Sequence, residues 1–339
     1  MKALIKQLVE TYGPSGFEDE VRALIRQHVE PLADDIQVDA MGNLFALKRG
    51  DGSGRRIMAA AHMDEIGLII TQVEEEGFLR FSGIGGIPPK ALLGTRVRFA
   101  NGVIGVISHD GGAAAEIGGK ELPDMGQWFI DVGARSKEEL TVGVGDIVSF
   151  VRPFDDLGQR LLGGGFDDRV GCAALIETMK RLESSPHDVI FTFTVQEEVG
   201  VRGARVAAFG REPDIGLAVD VAPTGDTPHP RHPIALKLGG GAAIKVADAG
   251  MISHPGVRRA LERVARVHDI PYQLEVLPFG STDAAAMQAA RSGVMTGAIS
   301  IPSRYTHLTA EMIDMDDVEN VVRLLTAYLS DPNPIENQE

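Results

Sequence analysis

Cysteine is almost missing from this chain of 339 residues: Cys172 is the one thiol. That excludes an intrachain disulfide and a cysteine-ligated zinc site. The neighbours Ala173, Ala174 and Leu175 make Cys172 a buried helix residue rather than a reactive thiol. Basic residues are in deficit, with 33 Lys and Arg against 48 Asp and Glu, a net charge of −15. Phosphate recognition needs a basic face, so we expect no nucleic-acid partner. The acidity reads more simply as a solubility feature. Long apolar runs are also missing: none reaches the ~18 residues of a membrane span. The opening Met1-Lys-Ala-Leu-Ile-Lys6 is amphipathic and too short in apolar length for a signal peptide. A cytoplasmic protein with no membrane partner is the expectation.

What is present suffices for a full core. Hydrophobic residues make up 44% of the chain, an ordinary globular share. The length allows two domains, or one large domain with an insertion. Leu4, Ile5, Leu8 and Val9 share a helical face, and Ser15 with Glu18 fits a capping box before a second helix running to Pro31. A hairpin around Met41-Gly42-Asn43 precedes a strand ending at His62. From Gly67 to about Phe154 the texture changes to short β runs punctuated by glycine, which predicts a small barrel or sandwich. His109 reads as a loop histidine there. From Gly163 helices and strands alternate, with helices over 168–182, 202–209, 283–291 and from Pro255 and Met315. His229 and His232 lie in a Pro-rich loop, and the tail from Asp331 should fray.

Alternation in both outer segments predicts an α/β fold with a mixed sheet, carrying an inserted all-β barrel-like domain. We place the α/β domain at 1–66 and 155–339, and the insertion at 67–154. Residues 1–66 are too few to stand alone, and they supply His62 to a site completed after residue 160.

Candidate ligands gather at strand ends. Phe191-Thr-Phe-Thr-Val-Gln-Glu197-Glu198 is a buried strand running into two acids, a costly arrangement unless something positive sits there. Ile57-Met-Ala-Ala-Ala-His62-Met-Asp64, Gly216-Leu-Ala-Val-Asp220 and Val294–Ser300 with His307 beyond it end likewise, and Gly165-Phe-Asp167-Asp168-Arg169 opens a helix. Each alone is a weak signal: His-x-Asp is common, and Asp opening a helix is usually an N-cap. Their coincidence at the loop-facing ends of α/β elements, where such sheets bind ligands, points to a hydrolytic metal site.

The ordered set His62-Met-Asp-Glu, Phe166-Asp-Asp-Arg-Val-Gly, Glu197-Glu198-Val-Gly, Val219-Asp220 and Tyr305-Thr-His307 resembles the tetrahedral aminopeptidase (TET) family of dinuclear metallopeptidases, clan MH. The resemblance spans nearly the whole chain. It implies that His62 and Asp220 hold one divalent metal, Glu198 and His307 the other, and that Asp167 bridges them. It implies Glu197 as general base and Asp64 as the group orienting His62. Phe166 and Leu308 depart from the family's usual Leu and Ser, beside the ligands and not among them. The residue types suit the chemistry. Two metals ~3.5–4 Å apart polarise a carbonyl and acidify a bridging water, and a free carboxylate relays its proton. Glu197 and Glu198 serve different roles only if the strand end twists or bulges. Zinc, cobalt and manganese all accept this ligand mix.

The expectation is a metal-dependent aminopeptidase acting on peptides. A deacylase on the same centre is the alternative. An endoglucanase reading is weaker, since glycosidases use two opposed carboxylates without metal. A catalytically dead scaffold conflicts with the complete ligand set. Leu92, Leu93, Trp128, Phe129 and the loop Ile84-Gly-Gly-Ile-Pro-Pro89 suggest an exposed apolar patch on the insertion. The family resemblance implies dimers through this segment, building a tetrahedral dodecamer.

Overall fold

The computed structural model describes residues 1–111, 124–230 and 234–336. His232 lies outside the described residues. The helices are α1 (Lys2–Glu10), α2 (Asp19–Val29), α3 (Phe166–Arg181), α4 (Arg202–Arg211), α5 (Pro255–Val267), α6 (Asp283–Gln288) and α7 (Met315–Ser330). No helix among the described residues is long and apolar enough to cross a membrane.

Four strands form the parallel centre of an eleven-stranded mixed sheet: β3 (Arg56–His62), β12 (Asp188–Thr194), β13 (Ile215–Pro223) and β16 (Met295–Arg304). Parallel strands of this kind are covered on both faces, and the side chains show why. On β3, Ile57, Ala59 and Ala61 join the core under α1, α2, α3, α5 and α7, while Met58 and Ala60 face the layer of α4 and α6. On β12, Val189, Phe191 and Phe193 take the first side and Ile190 the second. Register then fixes the site's position. Thr194 lies opposite His62, and Asp220 opposite Ser300, so the C-terminal strand ends share one edge. The antiparallel β1 (Asp35–Val38) and β2 (Leu44–Lys48) extend the sheet beside β12, as the hairpin pattern predicts.

The glycine-punctuated segment closes into a six-stranded barrel. Its strands are β4 (Gly67–Val73), β5 (Leu79–Ile84), β6 (Arg96–Phe99), β7 (Ile104–His109), β8 (Trp128–Asp131) and β9 (Ile147–Phe150). An α/β sheet domain interrupted by an all-β barrel is the architecture the sequence predicts.

Several local expectations fail. Leu92 and Trp128 are not on a surface patch: both are fully buried in the barrel core with Leu68, Phe99 and Ile107. His109 ends β7, buried, with its ring edge-on to Trp128 at 5.2 Å and Nδ1 2.8 Å from the Asp110 carbonyl. Ser15 and Glu18 make no capping box, because both side chains are used elsewhere. Ser15 Oγ donates to Asp64 Oδ2 (2.6 Å), and Glu18 Oε1 accepts the N–H of Gly16 (2.7 Å) and Gln196 (3.2 Å). The tail is tied down through residue 336 rather than frayed. Tyr328 donates to the Pro334 carbonyl (2.7 Å), and Arg263 pairs with Asp331 at 2.6 Å. The helix expected to reach Arg291 stops at Gln288.

Trp128 is the chain's single tryptophan, so its fluorescence reports on the barrel alone. We expect blue-shifted emission that acrylamide quenches far less than it quenches free tryptophan. Solvent-like, freely quenched emission would contradict a closed barrel core.

Candidate metal centre

The edge formed by β3, β12 and β13 collects the predicted residues around one carboxylate. Asp167 sits at the start of α3 in a non-helical conformation (φ −74°, ψ 105°), so it projects from the chain before the helix proper begins. Its Oδ1 is 3.0 Å from His62 Nε2, and its Oδ2 is 3.2 Å from His307 Nε2. Glu198 Oε1 is also 3.2 Å from His307 Nε2, and Asp220 Oδ1 is 4.0 Å from His62 Nε2. Glu197 Oε2 stands back, 4.0 Å from His62 Nε2. His62, Asp167, Glu197, Glu198, Asp220 and His307 all line a cavity of about 640 Å³.

The turn at the end of β12 separates the two adjacent glutamates. Gln196 takes a left-handed conformation (φ 55°), which breaks the strand's alternation. Asp64 holds the turn: its Oδ1 accepts the Glu197 N–H (2.9 Å) and its Oδ2 the Glu198 N–H (3.2 Å). Its contact with the histidine is looser, with His62 Nδ1 3.1 Å from the Asp64 carbonyl and 3.5 Å from Oδ1. Asp64 therefore positions the glutamates as well as the imidazole.

Sequence reasoning missed four contributors. Asp168 is close enough to His62 and Asp220 to share a cation with them. Both of its oxygens already accept backbone N–H groups, from His62 (3.2 Å) and Gly171 (3.1 Å), so it anchors β3 to α3. Glu311, on β17 (Glu311–Asp314), is buried and accepts the N–H of Asp167 (3.2 Å) and of His307 (3.3 Å). One carboxylate thus holds the backbone of two candidate ligands, with Arg152 3.8 Å from it. Arg152 is itself held by Glu65 at 2.8 Å. The fourth is the barrel loop, which the sequence reading left without a part in the site. Gly86 O lies 2.7 Å from His307 Nδ1. A carbonyl only accepts, so Nδ1 carries the hydrogen and Nε2 is the nitrogen left to face Asp167. Pairing of Gly86 with His307 had no signal in the sequence beyond an apolar loop.

Electrostatics show what the cluster lacks. Burial opposes protonation of His307, but Asp167 and Glu198 outweigh it and push its pKa up to about 12. His62 is likewise driven upward against burial by Asp167 and Asp64. Burial and the nearby Asp220 and Asp283 push the Glu197 carboxyl well above the usual range, with His62 opposing. Asp220 is raised by burial and by Asp167. Acids thus outnumber the positive charge available to them in the cluster. Glu198 Oε1, although buried, makes no hydrogen bond. An acid-rich set of imidazole and carboxylate donors with an orphaned oxygen fits divalent cations.

A twice-covered parallel sheet whose strand ends gather acids and histidines around a cavity defines a hydrolase class equipped to hold metal ions. The chain belongs to the M42 glutamyl aminopeptidase family, whose pattern matches residues 42–324. It is 44% identical over 329 residues to a putative aminopeptidase of Acetivibrio thermocellus, covering 95% of this chain and 96% of that one. Among solved structures it is similar to aminopeptidase APDkam598 of the archaeon Desulfurococcus kamchatkensis. The TM-score is 0.93 and the identity 39%, over 98% of this chain and 95% of that one. It is also similar to the Pyrococcus horikoshii TET1 peptidase, which can assemble into a tetrahedron or a large octahedral shell. There the TM-score is 0.86 and the identity 35%, covering 97% and 99%.

Glu311→Gln tests the backbone clamp. An amide keeps one acceptor oxygen and turns N–H donors toward the other main-chain N–H, so one of the two ligand loops should loosen. Metal affinity should fall by about ten- to a hundredfold, while the circular dichroism spectrum stays unchanged. Elemental analysis after dialysis at limiting metal checks this, and undiminished metal content would refute it.

Proposed function

We propose that the chain is an aminopeptidase that removes N-terminal residues from peptides with two divalent metal ions per subunit. The observation carrying this reading is Asp167, whose two oxygens each face a different histidine, His62 and His307, at 3.0 and 3.2 Å. A carboxylate so placed suits a bridging role, with Asp220 completing the His62 side and Glu198 the His307 side. Zinc or cobalt fits this set best, and manganese is also compatible. Bound there, the metals would polarise the scissile carbonyl and acidify a water molecule.

The chain's own residues divide the remaining work. Glu197 holds no assigned metal, lines the cavity and has its carboxyl shifted upward in pKa by burial and neighbouring acids. It takes the water's proton and delivers it to the leaving amine. Asp64 fixes the Glu197–Glu198 turn and faces the second ring nitrogen of His62. Glu311 and Gly86 set His307.

Removal of metal with a chelator should abolish peptide hydrolysis, and zinc or cobalt should restore it. Glu197→Gln should keep both metals and lose about a hundred- to ten-thousandfold in kcat, whereas His307→Ala should lose metal. Equal metal loss in the two variants would undo the assigned roles.

We further propose that residues 67–154 form a dimerisation unit inserted into the catalytic domain of 1–66 and 155–339. Dimers would then build a tetrahedral dodecamer. With Trp128 and Leu92 in the core, support comes instead from apolar side chains exposed on and beside the barrel: Leu93, Ile104, Val106, Val144 and Val151. The assembly of the P. horikoshii relative supports the same reading. Light scattering on the metal-loaded chain should give a multiple of the 36.2 kDa subunit mass, and a monomer at micromolar concentration would refute the proposal.

A further inference from the structure

The cavity contains one basic side chain besides its histidines among the described lining residues: Lys245, on β14 (Ala242–Ala247). In a family described by glutamyl specificity, a lysine in the cavity is the natural partner for an acidic substrate side chain. Here that lysine is already engaged. Glu275, its register partner on β15 (Tyr272–Val276), places Oε1 2.5 Å from Nζ, and Asp248 places Oδ2 at 3.1 Å. Both carboxylates are wholly buried, and the lysine side chain is 2% exposed. Asp248 cannot swing away, because its Oδ1 accepts the N–H groups of Gly250 and Met251, each at 2.8 Å. The ammonium is the main compensation for the buried Glu275, with the Ser300 hydroxyl a lesser one.

Two acids around one ammonium leave this part of the cavity with no spare positive charge. A carboxylate entering it would meet Glu275 and Asp248 behind the lysine, and Asp220 beside it on the cavity wall. Charge buried without a partner is strongly disfavoured. Other parts of the wall are apolar: Pro88, Val201, Val221, Leu277 and Phe279, the last 39% exposed. A basic side chain gains little from Glu275 and Asp248, because both are wholly buried behind Lys245 and out of its reach.

We propose that this cavity takes an uncharged, apolar N-terminal side chain, aliphatic or aromatic, and rejects an acidic one, with Lys245 as a neutralised specificity residue. The inference rests on the aminopeptidase reading above. The test is a panel of Leu, Phe, Lys and Glu p-nitroanilides on the metal-loaded full chain. For Leu or Phe, kcat/KM should exceed that for Glu by about a hundredfold or more, with Lys below Leu. Activity on Glu equal to or above Leu would overturn the inference and leave the aminopeptidase reading standing. Hydrolysis of none of the four would overturn that reading, and the inference with it. Glu275→Gln adds a second arm by removing one of the two acids from the ammonium. In the folded, metal-loaded variant the Glu-to-Leu ratio of kcat/KM should rise about tenfold. An unchanged ratio would overturn the role given to Lys245. If Glu275→Gln does not fold, the panel on the native chain decides alone.

Discussion

Carboxylates packed at one buried edge of the sheet are the constraint to which the rest of the structure answers. Two like charges 4 Å apart repel by about 4 kcal/mol at an effective dielectric of 20. Asp167, Asp168, Glu197, Glu198 and Asp220 cannot share that edge without compensation. The chain supplies it in layers. Backbone N–H groups satisfy Asp64, Asp168 and Glu311. Arg152 faces Glu65 and Glu311, and Lys245 faces Glu275 and Asp248. Much of what stays uncompensated faces the cavity. There Asp167 draws on both imidazoles while burial pushes Glu197, Glu198 and Asp220 toward protonation, helped by Asp167 at Glu198 and Asp220 and by Asp220 and Asp283 at Glu197.

The barrel belongs to this arrangement rather than hanging from it. Ser149 Oγ donates to Glu65 Oε1 (2.9 Å), and Tyr12 donates to the Ile147 carbonyl (3.0 Å). Arg152, just beyond β9, reaches both Glu65 and Glu311. Gly86, just beyond β5, reaches His307. The two units therefore meet at the C-terminal end of the insertion and at the loop after β5, which touches the candidate ligand His307.

The parts of this fold legible in the sequence were those encoded locally. Apolar strands ending on His62, Glu197 and Asp220 announced the sheet edge, because burial and charge alternate within a few residues there. Glycine spacing announced the barrel. What stayed illegible depends on partners remote in the chain. Ser15-x-x-Glu18 satisfies a local capping rule, but its side chains answer to Asp64 and Gln196. Glu311 follows His307 by four residues, with nothing nearby to mark it as the acceptor for Asp167. Trp128 and Leu92 looked too large for a small glycine-rich unit, yet closing six strands into a ring gave them an interior. Lys245, between apolar neighbours, gave no hint of the two acids that hold it.

The Gly86–His307 contact changes where one functional piece of the chain ends and another begins. Topology would draw the line at Gly67 and Phe150, yet the loop after β5 is physically part of the ligand environment. A transplanted barrel would keep the tautomer of a histidine in a different domain only if its own loop set a carbonyl at the same place. The natural graft point therefore leaves residues 84–89 with the catalytic half. Cutting the insertion out whole would disable the histidine along with any subunit contact, so inactivity of such a chain would say nothing about assembly.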